Sequence, residues 1–149
     1  MNRTENVELT VLCSLYDENR ILLQNRAKED WKGFTLPGGH VEEGESIVDA
    51  VIREMKEETG LTVKNPRLCG VKQFPIEGGR YLVFLFKACN YEGILTSSDE
   101  EEMKWIDRKD LDRFPLVEDF ADLLRVMEDD TLTEFQYIVN DGEWAVHIR

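Results

Sequence analysis

Apolar positions along the chain fall into short extended runs separated by turn residues, with two stretches that follow helical spacing instead. Val7 to Tyr16 is apolar with few breaks and stops at the turn Asp17-Glu18-Asn19. Arg20 to Asn25 then carries Ile21, Leu22 and Leu23, so the two runs predict a hairpin. Trp31 to Leu36 predicts a short aromatic strand ahead of Pro37-Gly38-Gly39. Leu61 to Val63 starts another extended segment, which Pro66 interrupts and Leu68 to Phe74 resumes. After the turn signal Gly78-Gly79, Tyr81 to Cys89 is nearly all apolar at its start, as a central strand buried on both faces would be. Met103 to Ile106 predicts one more short strand. In the tail, Phe135, Tyr137 and Val139 alternate with polar residues, as do Trp144, Val146 and Ile148. Asn140-Asp141-Gly142 between them completes a hairpin pattern.

The first helical stretch covers 47–59. Ser46 is a suitable N-cap, with Asp49 three residues on, and Gly60 suits the left-handed position after the last turn. The second follows Pro115, which can open a helix, and presents Phe120, Leu123, Leu124 and Met127 on one face. Lys109 to Arg113 allows a helical turn before it. A single α/β domain over residues 1–149 accounts for the pattern: a mixed β-sheet with helices on both faces, plus a C-terminal β-hairpin.

Composition narrows the partners. The 149 residues are 42% apolar and 33% charged, as in a globular protein, and the formal net charge is −13. Such a surface repels nucleic-acid backbones and anionic membranes, so neither a nucleic acid polymer nor a membrane is an expected partner. Cys13, Cys69 and Cys89 have no metal-ligand spacing and lie in apolar or strand-like contexts, so they are expected as reduced core thiols in a cytoplasmic protein. The absence of an N-terminal apolar segment, and of any apolar run near 18 residues, points the same way.

One helix carries unusual charge. Ile47, Val51, Glu54 and Glu58 form a stripe at spacings of four, three and four, with Glu57 beside it. The stripe begins apolar and turns acidic, which puts Glu54 and Glu58 at the rim of the core. Partly shielded carboxylates that repel one another are relieved by a proton or by a divalent cation. An oxygen-only donor set favours Mg²⁺, Mn²⁺ or Ca²⁺ over zinc or copper. The competing explanation is a plain charged helix surface. His40, a single loop histidine, is expected to face solvent or make a hydrogen bond.

The wider segment decides against the plain surface. Residues 39–61 read G-H-V-E-E-G-E-S-I-V-D-A-V-I-R-E-M-K-E-E-T-G-L. This resembles the signature of the Nudix hydrolases at nine fixed positions: Gly39, Glu45, Arg53, Glu54, Met55, Glu57, Glu58, Gly60 and Leu61. The resemblance implies an α/β/α sandwich and hydrolysis of a nucleoside diphosphate linked to another group. It further implies that Glu54, Glu57 and Glu58 bind Mg²⁺, with Mn²⁺ as a substitute, helped by a backbone carbonyl at Gly38. Arg53 would pair with Glu45 to hold helix and loop in register, although it also reaches Glu57 at i+4. Arg53, Glu54, Glu57 and Glu58 are thus the catalytic candidates, and Gly39, Glu45 and Gly60 their structural support. The base that takes a proton from the attacking water would be Glu54, Glu58 or a carboxylate from elsewhere. Asp99, Glu100, Glu101 and Glu102 compete to supply a further metal ligand, with Glu101 taken as the candidate.

Trp31, Phe34, Phe74, Tyr81 and Trp105 could stack on a nucleobase, though core packing is the commoner role for each. Trp31 and Phe34 rank first because they precede the Pro-Gly-Gly turn. The stretch W-K-G-F-T-L-P-G-G-H-V-E is similar to the MutT-like branch of the family, which removes oxidised purine triphosphates such as 8-oxo-dGTP. The expected activity is therefore a nucleoside triphosphate pyrophosphohydrolase. Hydrolysis of ADP-ribose or dinucleotide polyphosphates, and removal of pyrophosphate from an RNA 5′ end, are the rivals within the family. A nucleotide-sensing Nudix domain without catalysis is the rival from a different functional class, but such domains often lose signature glutamates and this chain keeps them. An exposed strand at Trp144 would allow a homodimer through edge pairing.

Overall fold

The computed structural model describes residues 3–26, 32–97 and 102–149. Its centre is a six-stranded mixed sheet of order β11-β10-β6-β7-β1-β4. The strands are β1 (Asn6–Leu15), β4 (Gly38–His40), β6 (Arg67–Ile76), β7 (Gly79–Ala88), β10 (Glu134–Asn140) and β11 (Glu143–Ile148). β1 runs parallel to β7, and β10 parallel to β6, while the remaining pairs are antiparallel. Two smaller sheets complete the fold. One has the order β3-β2-β9, from Gly33–Thr35, Arg20–Arg26 and Glu102–Asp107, and the other pairs β5 (Leu61–Lys64) with β8 (Asn90–Gly93).

Strand alternation sends side chains of the main sheet to two separate cores. Val11, Cys13 and Leu15 of β1, with Phe86 and Ala88 of β7, meet Val51 and Met55 of helix α1 (Ile47–Thr59). Val83 and Leu85, on the opposite face of β7, meet Phe120, Leu123, Val126 and Met127 of helix α2 (Phe120–Glu128). The sheet thus lies between the two helices, as an α/β/α sandwich requires.

Helix α1 has the bounds its sequence signals set. Ser46 Oγ accepts the Asp49 N–H at 3.2 Å. Gly60 adopts φ 80° and returns its N–H to Lys56 O, and a Cβ there would meet Ile94 O at 2.8 Å. The C-terminal hairpin turns through Asp141 and Gly142, both at positive φ, as a two-residue hairpin demands. It then extends the main sheet through β10, and β11 becomes an edge strand, the position that pairing with a second copy would need.

Three expectations are corrected. Among the described residues β1 and β2 form no ladder: the Tyr16–Ile21 bridge and the Asp17 N–H to Arg20 O bond close the turn between them, and the strands then part into different sheets. Both flanks of β1 are taken, by β7 and β4, so β2 has no ladder to join. Pro115 does not open α2, which starts five residues later; its carbonyl instead accepts the Phe34 N–H at 2.8 Å, and Phe34 O accepts from Val117 N–H. Lastly, Cys13 is buried and Cys69 half-buried, but Cys89 is exposed. Burial pushes the Cys13 thiol up to about 12 and Cys69 to about 11. Among the described residues, no helix is long and apolar enough to cross a membrane.

Candidate active site

Glu54 is only 8% exposed, at the point where the α1 stripe leaves the core. Its charge is answered by Arg53, whose guanidinium serves four groups at once. Nε and Nη2 grip Glu45 at 2.7 and 2.9 Å, Nη1 donates to Glu54 Oε1 at 2.9 Å and Glu57 Oε2 at 3.1 Å, and Nη2 also donates to His40 O at 3.0 Å. Arg53 therefore both ties the Glu45 loop to the helix and spans the i+4 step to Glu57. A planar five-donor fork can do this and an ammonium cannot. Glu54 and Glu57, which looked unpaired in the sequence, have this cation as a partner, so repulsion between them does not by itself call for a metal.

The Arg53 fork also sets an acid limit. Its hydrogen bonds, foremost among several causes, hold the Glu45 carboxyl at about 2, below the ordinary value of 4.5. A depressed carboxyl contributes stability that is complete above about 4.5 and is lost as pH falls through about 2. Wild-type protein is thus expected to outlast Glu45→Gln in thermal unfolding by a constant margin above that window, with the margin vanishing toward pH 2. A margin that does not change with pH would contradict the pairing.

Next to the helix lies β4. Pro37 O accepts from Cys13 N–H and Val41 N–H donates to Leu9 O, so the odd positions of this segment face β1. The Gly38 and His40 carbonyls consequently face away from β1, and that of His40 reaches Arg53. Gly39 has no room for a side chain while Glu54 holds its place, since a Cβ would run into the Glu54 carboxylate. Glycine is what lets the buried carboxylate sit against the strand.

Among the described residues, no three His, Cys, Asp or Glu side chains already converge on one point. The donors nevertheless suit a hard divalent ion: Glu54 fixed by Arg53 and Gly39, Glu57 with its side chain 58% exposed, Glu58 at the same rim, and the Gly38 carbonyl. Gln24 Nε2 approaches Glu58 Oε2 at 3.4 Å and links this rim to a neighbouring cleft.

That cleft, of about 430 Å³, opens between β1, β6, β7 and the C-terminal hairpin. Gly38, Gly39 and Gln24 line its acidic end, and Phe74, Tyr81, Tyr137 and Trp144 its far wall. Phe74 stacks on Tyr81 with centroids 4.7 Å apart, and Trp144 packs edge-on against Tyr137 at 5.4 Å while staying 53% exposed. Thr35 Oγ1 is buried at the cleft without a hydrogen-bond partner among the described residues. Lys72 also lines it, and desolvation lowers its ammonium to about 8 although Asp119 acts the other way. The Tyr137 hydroxyl donates to Asp119 Oδ2 at 2.7 Å. Burial first, then that bond, raises the phenol well above its ordinary value.

Several candidates fall elsewhere. Phe34 is 4% exposed and packs edge-on against Phe114 in the α2-side core, so it presents no face to a base. Trp105 packs at a tilt against Tyr91 and under Arg20, away from the cleft. Glu102 is exposed and sits one position from Met103, whose side chain packs in the α1-side core, so Glu102 is on the face of β9 turned from α1. Trp31, Asp99, Glu100 and Glu101 lie outside the described residues. Sequence reasoning missed Gln24, Thr35, Lys72, Tyr137 and Trp144 as cleft residues. Only the alternation of Lys72 with Phe74 hinted that those two share a face.

Residues 7–127 match the family model of the NUDIX domain. The chain belongs to the Nudix family. It is 38% identical over 110 residues to the Bacillus subtilis (strain 168) protein named Uncharacterized Nudix hydrolase YvcI, spanning 70% of this chain and 68% of that one. It is 36% identical over 121 residues to the oxidized purine nucleoside triphosphate hydrolase of Danio rerio, spanning 77% and 74%. The crystal structure of a MutT protein from Bacillus halodurans superposes with a TM-score of 0.76 at 32% identity, covering 95% of this chain and 97% of that one.

This chain is therefore a Nudix hydrolase, an enzyme class that acts on small-molecule nucleotide substrates with divalent metal ions. An ion held by Glu54, Glu57, Glu58 and the Gly38 carbonyl would offset the charge between acidic helix and polyphosphate, and would acidify a bound water. Arg53 fixes Glu54, Glu57 and Glu58 lie at the rim, and an aromatic wall stands beside them.

Proposed function

We propose that this Nudix hydrolase is a Mg²⁺-dependent nucleoside triphosphate pyrophosphohydrolase of the MutT kind, releasing a nucleoside monophosphate and pyrophosphate. Oxidised purine nucleotides such as 8-oxo-dGTP are its leading substrates. The observation that carries this reading is the continuity of the cleft: one strand, β4, lines the aromatic pocket with Gly38 and Gly39 and also packs against the Glu54 carboxylate. A nucleobase stacked on that wall leaves its phosphates at α1. The likeness to the Danio rerio hydrolase supports the same choice.

In this reading Trp144 and Tyr81 hold the base by stacking, in the place first given to Trp31 and Phe34. Proton acceptance from the attacking water belongs in this reading to a carboxylate of the acidic rim, Glu54 through its Oε2 or Glu58. Mn²⁺ substitutes for Mg²⁺, since both are accepted by oxygen donors. The test is a substrate panel with Mg²⁺ and product identification, comparing 8-oxo-dGTP, the ordinary dNTPs, ADP-ribose and diadenosine polyphosphates. The expected result is fastest turnover of a triphosphate to monophosphate and pyrophosphate. Preference for ADP-ribose or a dinucleotide, or release of inorganic phosphate alone, would overturn the assignment.

A further inference from the structure

Lys72 is out of place by ordinary rules. Its residue is 6% exposed on a central strand, β6, opposite Val83 on one side and Phe135 on the other. Lysine is rarely buried so fully, and its ammonium is costly to desolvate. Part of that cost is offset by rings: Nζ lies 5.3 Å from the Phe135 centroid, 5.4 Å from Tyr137 and 5.8 Å from Phe74. Asp119 supplies the nearby negative charge while it accepts from Tyr137. Phe74 and Tyr137, two of the rings that hold the ammonium, also form the wall of the cleft, which Lys72 itself lines.

The catalytic chemistry described above does not use this residue. The polyphosphate belongs at α1, at the other end of the cleft, and a phosphate would have to shed its water to reach a cation held among three rings. A flat heterocycle on the Tyr81–Phe74–Trp144 wall brings a neutral edge there instead. An ammonium has three donors and no acceptor, so it rewards a carbonyl oxygen and opposes an amino group. Thr35 Oγ1, buried at the same cleft, adds a second polar atom for that edge.

We propose that Lys72 determines base specificity: it donates a hydrogen bond to a carbonyl oxygen of the bound nucleobase and so favours keto bases, such as guanine and 8-oxoguanine, over adenine. The inference rests on the reading of the cleft as a nucleobase site. A charge-assisted hydrogen bond in a desolvated pocket corresponds to a preference of about 10- to 100-fold.

The test measures affinity for GMP, 8-oxo-GMP and AMP by calorimetry without metal, on wild type and on Lys72→Met, which keeps the length and removes the donors. Wild type is expected to bind the two keto monophosphates about 10- to 100-fold more tightly than AMP, and the variant to compress that ratio to within about threefold of unity. Lys72→Gln keeps two N–H donors but loses the charge and adds an acceptor, so it should give an intermediate ratio; it serves as the test if Lys72→Met does not fold. A wild type without preference, or a variant that keeps the wild-type ratio, overturns the proposal. A lysine with only a structural role would lower all three affinities together and leave the ratio in place. If wild type hydrolyses no nucleotide in the substrate panel, the hydrolase reading itself has failed. If it hydrolyses them without keto preference, only the role of Lys72 has.

Discussion

Glu57→Gln and Glu58→Gln are each expected to lower Mg²⁺-dependent turnover by at least about a thousandfold, a loss of roughly 4 kcal/mol of transition-state stabilisation. Gln keeps the shape and one oxygen but removes the charge that offsets a divalent ion. The fold should hold in both cases. Glu57 is exposed and its bond to Arg53 is a surface ion pair, so its loss changes stability by less than about 1 kcal/mol. Far-UV circular dichroism and thermal unfolding therefore separate a lost site from a lost fold. Full activity in both variants would defeat the assignment of the acidic rim to catalysis.

Arg53→Ala is expected to cost both stability and activity. Five hydrogen bonds go at once, to Glu45, Glu54, Glu57 and the His40 carbonyl. The buried Glu54 carboxylate is left beside Glu57 with no cation, and Glu45 no longer anchors its loop. Breaking such a partly buried network costs about 2–4 kcal/mol. For a chain of this size that is a fall in Tm of roughly 5–15 °C. Added Mg²⁺ should narrow the deficit, because an ion that binds the folded state replaces part of the lost charge. Arg53→Lys should recover some stability and little activity, since one ammonium cannot span four partners. A Tm within a degree of wild type for Arg53→Ala would show that the network carries no weight.

The elements that were legible in the sequence are those whose signals are local. Helix α1 could be read to the residue because Ser46, the apolar stripe and Gly60 each act within a turn or two of the positions they control. The same holds for the Asp141-Gly142 hairpin, where positive φ at both residues favours this pair. The misread junction between β1 and β2 depended on strands far along the chain. β1 looks like half of a hairpin until β7, some seventy residues away, occupies its flank in parallel register. Phe34 likewise precedes the Pro-Gly-Gly turn as a base-stacking residue would, but the Pro115–Val117 segment covers it.

The site divides in the same manner. Its acidic half sits on one helix and the loop before it, so spacing and family resemblance reached Glu54, Glu57, Glu58, Arg53 and Glu45 together. The cleft half is assembled from β1, β2, β6, β7, β10 and β11. Parallel pairing of β10 with β6 brings Tyr137 and Trp144 to Phe74, a contact across more than sixty residues that no local pattern announces. Burial of Lys72 is equally a product of that pairing, since Phe135 covers it only once β10 has docked.

Mn²⁺ binding followed by electron paramagnetic resonance, on wild type and on Glu57→Gln and Glu58→Gln, probes the acidic rim most directly. Wild type should quench the free-ion signal stoichiometrically at millimolar concentration or below, and both variants should leave it largely intact. Quenching that is the same in all three proteins would place the ion elsewhere and contradict the account of how this enzyme meets a polyphosphate.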